Sequence, residues 1–338
     1  MTAPHVPSRA TGSDVRLEGG DRRGERSFLS KGGLMSSVPG SEFRIGVMFD
    51  CDREPEELVG FAQALDALRV EDFWLVEDLG WGGAIASAAA VLASIQRLRV
   101  GIGIVPAPLR NPALLAMEAA TLARLYPGRF VTGIGHGVSE WMAQVGAATP
   151  QKLALLEETI RAVRSLLRGG PVTLDGRAVH LRDVQLWHPP AEPPAILAGV
   201  VRPRSLELSG RVADGTIVAE GHGPREVAAA LAHIDKGRAA PGAPARHELT
   251  VFTYLCVDDD AARVHAATDR IVAAQAAWLG VDPADVFVVA GPAAKAAKQV
   301  RTLWDAGAQT VVLRPLGDDR LGQVRAVLAA LDSPEEGA

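Results

Sequence analysis

Short apolar runs separated by longer amphipathic stretches recur from Phe43 onward, and this alternation limits the fold more than any other feature of the chain. The runs Phe43 to Phe49, Asp72 to Val76, Leu98 to Val105, Phe130 to Ile134, Ala195 to Ala198, Gly215 to Ala219, Leu249 to Val257 and Gln309 to Arg314 lack the polar alternation of a half-solvated strand. They read as parallel strands covered on both faces. Between them Glu56 to Leu68, Pro112 to Leu125, Gln151 to Leu167 and Arg225 to His233 read as helices, with Pro55 and Pro112 at positions where a first turn needs no N–H. Eight strands alternating with helices predict an α/β chain folded as a (β/α)8 TIM barrel rather than a doubly wound sheet with one switch point. Two departures are visible: Val172 to Leu186 alternates like a hairpin around Asp175-Gly176, and Asp258 to Val289 is a long excursion before the last strand.

Residues 1–42 are rich in Gly, Ser, Arg and Pro and show neither period, so they predict a disordered N-terminal tail ahead of a barrel domain at 43–332. The tail has no apolar segment of the signal-peptide kind, and its acidic residues argue against a transit peptide, so a cytoplasmic protein is expected. With 338 residues, of which 48% are hydrophobic, the chain is long enough to bury a full core. Its two cysteines, Cys51 and Cys256, lie far apart beside apolar runs and read as buried thiols rather than a disulfide. A net charge of -5 gives no support for a nucleic-acid or membrane partner and leaves small molecules as the expected substrates.

In such a barrel the reactive face is the rim at the C-terminal ends of the strands. There the sequence reads Glu77-Asp78-Leu79-Gly80-Trp81, Gly133-Ile134-Gly135-His136-Gly137, Gly199-Val200-Val201-Arg202 and Glu220-Gly221-His222-Gly223. Glycine at a strand end permits a positive φ or the close approach of a planar ligand, and open N–H groups there hold phosphate. Several glycines on one rim therefore suggest a planar cofactor with a phosphate tail. The dinucleotide fingerprint, the P-loop, the zinc-protease helix and the nucleophile elbow are all missing, and the histidines have no metal-ligand spacing, so no metal is expected.

The segments Leu98 to Pro106, Arg110-Asn111-Pro112, Pro127 to Gly135, Glu157 to Ile160, Leu166 to Gly169, Arg211 to Gly215 and Ala306 to Ala308, taken in order, resemble the luciferase-like monooxygenase superfamily. Gly135-His136-Gly137 followed by Trp141, together with Gly221-His222-Gly223, is more similar to its F420-dependent oxidoreductase branch. The resemblance implies a barrel that binds the deazaflavin F420 or, as the alternative, FMN. It also implies a non-proline cis peptide at Gly103 to Ile104, with Val105 beside it, supporting the cofactor ring. The cofactor phosphate would lie on Gly199, Val200, Val201, Arg202, Arg204 and Ser205. Gly135, His136, Gly137, Gly221 and His222 complete the expected cofactor set. Trp81, Trp141 and Met142 are the expected lining of the substrate pocket.

The chain departs from the sugar-phosphate dehydrogenases of that branch. Glu77-Asp78 stands where they carry Asp-His, and Val138 where they carry a catalytic Glu, so their proton-transfer scheme does not carry over. Of the proton carriers left on the rim, His136 and Glu77 come first, then Asp78, with Glu140 and His222 behind them. The expected activity is hydride transfer between F420 and a small organic substrate. The alternatives are an FMN-dependent monooxygenase using O2 and, in another class, a non-catalytic flavin-binding protein. A homodimer pairing through the Ala-rich stretch Ala84 to Ala93 is expected, as is a separate reductase supplying reduced cofactor.

Overall fold

The computed structural model describes residues 43–68 and 70–333, and the tail expected over 1–42 lies outside them. In chain order the strands are β1 (Arg44–Met48), β2 (Asp72–Leu75), β3 (Arg99–Pro106), β4 (Phe130–Gly135), β5 (Val172–Asp175), β6 (His180–Val184), β7 (Ile196–Gly199), β8 (Gly215–Val218), β9 (Glu248–Val257), β10 (Val289–Gly291) and β11 (Thr310–Pro315). The helices are α1 (Leu58–Asp66), α2 (Ala84–Ser94), α3 (Pro112–Leu125), α4 (Ser139–Gln144), α5 (Lys152–Leu167), α6 (Pro203–Val212), α7 (Pro224–Arg238), α8 (Ala261–Leu279), α9 (Ala293–Asp305) and α10 (Arg320–Asp332).

The order β1-β2-β3-β4-β7-β8-β9-β11 closes on itself through parallel pairs, with β9 joining both β8 and β11. This is the (β/α)8 barrel the alternation predicts, and each expected apolar run forms one of its strands. The other three strands are the two departures. β5 and β6 form the antiparallel hairpin, held to α5 because the Glu158 carboxylate accepts N–H bonds from Arg177, Ala178 and Val179 at 2.8 to 2.9 Å. The excursion after Asp258 carries α8 and returns as β10, which pairs with the projecting end of β9 at Leu255–Val257.

Side chains alternate between two cores along the strands. Ile45, Val47, Phe73, Leu75, Val251, Val311 and Leu313 join the large core beneath the helices. Met48, Trp74, Val131, Leu197, Ile217, Phe252 and Val312 point the other way and fill the barrel. Trp74 is fully buried there, edge to face with Phe252 at 5.3 Å between ring centres. Its indole fits because Gly46 and Gly101 have no side chains; a Cβ on Gly101 would stand 2.5 Å from the ring.

A strand residue two places beyond an inward one faces inward again. Stepping from Met48, Val76, Phe252 and Val312 gives Asp50, Asp78, Tyr254 and Arg314 at the C-terminal rim. Stepping back gives Asp72, Thr250 and Thr310 at the other mouth, where Arg99 bonds Asp72 at 2.9 Å and Glu248 at 2.7 Å. The barrel interior is thus a layer of apolar rings and branched chains between two polar layers.

Cys51 and Cys256 are both free thiols, Cys256 buried but Cys51 only partly so, because it lies on the open rim. Among the described residues no helix is long and apolar enough to cross a membrane.

Candidate active site

The rim is built around Arg314. Its Nε and Nη2 donate to the two oxygens of Asp50 at 2.8 and 3.0 Å, and Nη1 donates to Glu220 at 3.0 Å. The guanidinium also lies 5.1 Å from the centre of the Tyr254 ring. Burial opposes the charge on Arg314, but Glu220 and Asp50 outweigh it and hold the group firmly protonated. Burial, with Glu220 adding to it, pushes the Tyr254 phenol up to about 12, so it stays neutral.

Asp78 lies beside this pair. Burial is the main cause that raises its pKa, with Glu220 and Asp50 adding to it and the bond from Cys51 and the charge of Arg314 opposing. The Cys51 thiol donates to Asp78 Oδ2 at 3.3 Å and is itself pushed up to about 12, by burial first and by Asp78 second. The result is a carboxyl that takes up a proton more readily than a solvated aspartate.

Glu77 and His136, the first two expected proton carriers, are engaged otherwise. Both Glu77 oxygens accept from Arg110, at 2.8 and 2.6 Å, and Oε2 also accepts the Ala84 N–H at the start of α2. Arg110 in turn bonds Glu118 of α3 at 2.9 Å. Glu77 therefore clamps the loop after β2 to two helices, as the ion-pair partner of Arg110 rather than a free proton carrier. His136 Nε2 lies 3.1 Å from the Ser205 hydroxyl, and burial, with Lys152 nearby, lowers its pKa, so the ring is neutral at neutral pH.

Ser205 sits in the first turn of α6, whose N-cap residue Arg202 provides no side-chain cap. Lys152, Arg177 and Arg204 line a cavity of about 460 Å³ beside this helix start. The open N–H groups of that first turn and three cations beside it make a fitting seat for phosphate, with the buried Ser205 hydroxyl behind them.

The rim glycines serve other purposes than expected. The Gly103–Ile104 peptide is cis, as the resemblance implies, and the register between β3 and β4 shifts there. Ile104 then lies over β4 and β7, where a Cβ on Gly135 would stand 2.9 Å from it, one on Gly133 3.1 Å away, and one on Gly199 would overlap it. Gly135 and Gly199 make room for Ile104, and Gly133 chiefly for Ile217, whose Cδ1 a Cβ there would overlap, so none of the three is kept small directly by a planar ligand. A Cβ on Gly221 would press on Gln275 and Leu279 of α8, so that glycine admits a helix. Val200 is buried and Val201 and Val105 are packed within the rim.

Met142 is 3% exposed and packs against Gly137 and Pro106, so it belongs to the core rather than to a pocket wall. Trp81 is 54% exposed on the rim, and Trp141 is partly buried. His222 turns back on its own loop, with Nδ1 2.9 Å from the Ala219 carbonyl oxygen. Among the described residues no group of three or more His, Cys, Asp or Glu is placed to hold a metal ion.

Asp50, Tyr254 and Arg314 were absent from the expected site, and Glu220 was noted without a role. Each lies two residues beyond an inward apolar position or just past a strand end, and that spacing was the signal that marks them.

The family of luciferase-like monooxygenases matches residues 36–336. A 5,10-methylenetetrahydromethanopterin reductase of Methanolobus tindarius is 25% identical over 249 residues, covering 71% of this chain and 76% of the relative. An F420-dependent glucose-6-phosphate dehydrogenase of Nakamurella multipartita is 32% identical over 182 residues, covering 50% of this chain and 54% of the relative. The chain thus spans about half the length of that dehydrogenase. In fold it is similar to an F420-dependent secondary alcohol dehydrogenase solved with an F420-acetone adduct, with a TM-score of 0.77 and 18% identity over 86% of this chain and 99% of that one. With the match running through every strand of the barrel, the chain belongs to the luciferase-like monooxygenase family.

Proposed function

We propose that residues 43–332 form one catalytic domain, an F420-dependent oxidoreductase that passes hydride between the cofactor and a carbon of a small organic substrate. The observation that carries this reading is the division of the rim into two chemically distinct halves. One half, at the start of α6, offers Ser205, Lys152, Arg177 and Arg204 to an anionic group. The other half, reached from β1, β2 and β11, offers Asp78, a carboxyl that burial inclines to hold a proton. In the strand order β7 and β1 lie on opposite sides of the barrel, so a ligand anchored at α6 extends across the mouth toward this acid. The F420 dependence of the relatives favours the deazaflavin over FMN.

A bound deazaflavin supplies or accepts the hydride at its C5. Ser205 and Arg204 would hold its phosphate, with His136 fixing the hydroxyl. Ile104 would support the ring of the bound cofactor. Asp78 gives a proton to the substrate oxygen when a carbonyl is reduced, or takes it when an alcohol is oxidised. Arg314, pinned by Asp50 and Glu220, keeps a positive charge near that acid, and Trp81 and Trp141 stand at the mouth.

In the direction of carbonyl reduction, a separate reductase supplies the reduced cofactor. The protein works in the cytoplasm as a homodimer. Leu114, Met117 and Leu125, exposed along α3, support a contact with a second copy. The α2 alanines support it less, because Ala84 and Ala88 are already buried within the chain.

Titration of the purified protein with F420 and with FMN, followed by tryptophan fluorescence quenching, tests the cofactor. F420 binding in the micromolar range is expected. Tight FMN binding without F420 binding would falsify the assignment, and F420 binding with no turnover on any alcohol, aldehyde or enone would favour a carrier instead of an enzyme.

A further inference from the structure

The end of the barrel opposite the candidate site contains a cavity of about 750 Å³. The starts of β1, β3, β7 and β9 form its wall, with the C-terminal end of α5 and the rigid Pro193-Pro194 segment. Arg44, Arg99, Arg164, Arg168 and Arg246 line it, five guanidinium groups in a chain whose net charge is -5.

Three carboxylates answer these five cations. Glu248 takes Arg44 at 2.9 Å and shares Arg99 with Asp72, while Asp214 takes Arg164 at 2.8 Å. The side chains of Arg168 and Arg246 have no hydrogen-bond or ion-pair partner among the described residues, and both are exposed at the cavity edge. His247 adds no charge: burial holds it at about 4, and its Nε2 lies 2.8 Å from the Thr216 hydroxyl. The cavity therefore keeps two positive charges that the protein does not neutralise. Arg164 registers the crowding, since burial and the nearby Arg168 and Arg161 lower its pKa even with Asp214 beside it.

We propose that this cavity is a second binding site, for a small multivalent oxyanion. Guanidinium forks from Arg168 and Arg246 each grip a pair of phosphate or carboxylate oxygens, so an anion carrying several such oxygens can engage both, whereas chloride has no oxygen pair and a single carboxylate satisfies only one fork. The volume exceeds that of one phosphate, so an anion of the size of pyrophosphate or citrate fits best. The closed inner layer of Trp74 and Phe252 separates this site from the rim, so its occupant acts on the lower mouth and not on the reacting groups.

Isothermal calorimetry on the full chain in low-chloride buffer, with phosphate, pyrophosphate and citrate as separate titrants, tests the proposal. At least one is expected to bind with Kd below about 1 mM and to raise Tm by roughly 2–4 °C at saturation. The R168Q/R246Q variant should weaken that binding at least about tenfold. A variant at the α6 start, R204Q/S205A, should leave it unchanged, which separates this site from the cofactor phosphate seat. Because Arg168 and Arg246 are exposed, folding of the variant is checked by its unliganded Tm, and R168K/R246K provides a second test of the fork requirement. The proposal is overturned if all three anions fail to bind wild type at 10 mM, or if binding is lost in R204Q/S205A and kept in R168Q/R246Q.

Discussion

Ile104 fills the space that a side chain on Gly199 would need, so a residue at the end of β7 is kept small by one that projects from β3 across β4. Gly135 and Gly199, at the ends of neighbouring strands, are linked through this one branched side chain.

Replacing Gly199 with Ala should cost about 2 kcal/mol, the range expected for overpacking a filled interior. Ile104→Ala should relieve most of that cost in the double variant, although alone it leaves a gap. A double-mutant cycle by thermal or urea unfolding measures this coupling, and strictly additive effects would show that the two positions do not share the space.

Arg314→Met should lower stability by about 3 kcal/mol at neutral pH, because Asp50 and Glu220 are left as buried carboxylates without their counter-ion. Adding Asp50→Asn and Glu220→Gln should recover much of the loss. If Arg314→Met unfolds at the wild-type urea midpoint, the cluster does not hold the rim together.

Asp78→Asn should reduce turnover about 100-fold or more while leaving F420 affinity within a few-fold of wild type. Cys51→Ala removes a bond that lowers the Asp78 pKa, so it should move the corresponding limb of the pH–rate profile upward. An unchanged profile in Cys51→Ala, together with full activity in Asp78→Asn, would remove Asp78 from the proton path.

Acid stability should be set at the lower mouth. Burial holds His247 at about 4 against an ordinary 6.5, so the unfolded chain takes up the proton first, and stability falls as pH drops from 6.5 toward 4. Glu248 behaves alike at lower pH. Burial opposes its charge, but Arg99 and Arg44 outweigh that and hold it at about 2 against 4.5, so its contribution is full above pH 4.5 and lost toward pH 2. Each window is worth about 3 kcal/mol. Urea unfolding across pH 3 to 7 should show both declines, with His247→Asn flattening the upper one and Glu248→Gln the lower one.

The eight barrel strands were legible because both of their faces are apolar, and the hairpin because only one of its faces is. Helix α6 was harder to read. Its sequence holds Ser205, Ser209 and Gly210, weak helix formers, and its stability comes from packing against α7. That packing is close: a Cβ on Gly210 or on Gly237 would strike the backbone of the other helix. Such a contact joins residues far apart in the chain and leaves no local periodicity.

The site was legible by position and less so by role. Glu77 and His136 stand on the rim as expected, but their tasks are set by Arg110 and Ser205, partners that no spacing rule connects to them. Arg314 and Asp50 are separated by 264 residues, and only closure of the barrel brings them together.

The single apolar layer between the polar ends offers no chain of hydrogen-bonding groups through which a proton could pass from one mouth to the other. A proton that arrives at Asp78 meets only apolar side chains between the rim and the Arg99 cluster at the other mouth. Rim side chains can be exchanged for new substrates while the ring layer that fills the barrel stays as it is. The fold keeps its working chemistry and its structural foundation on opposite sides of Trp74.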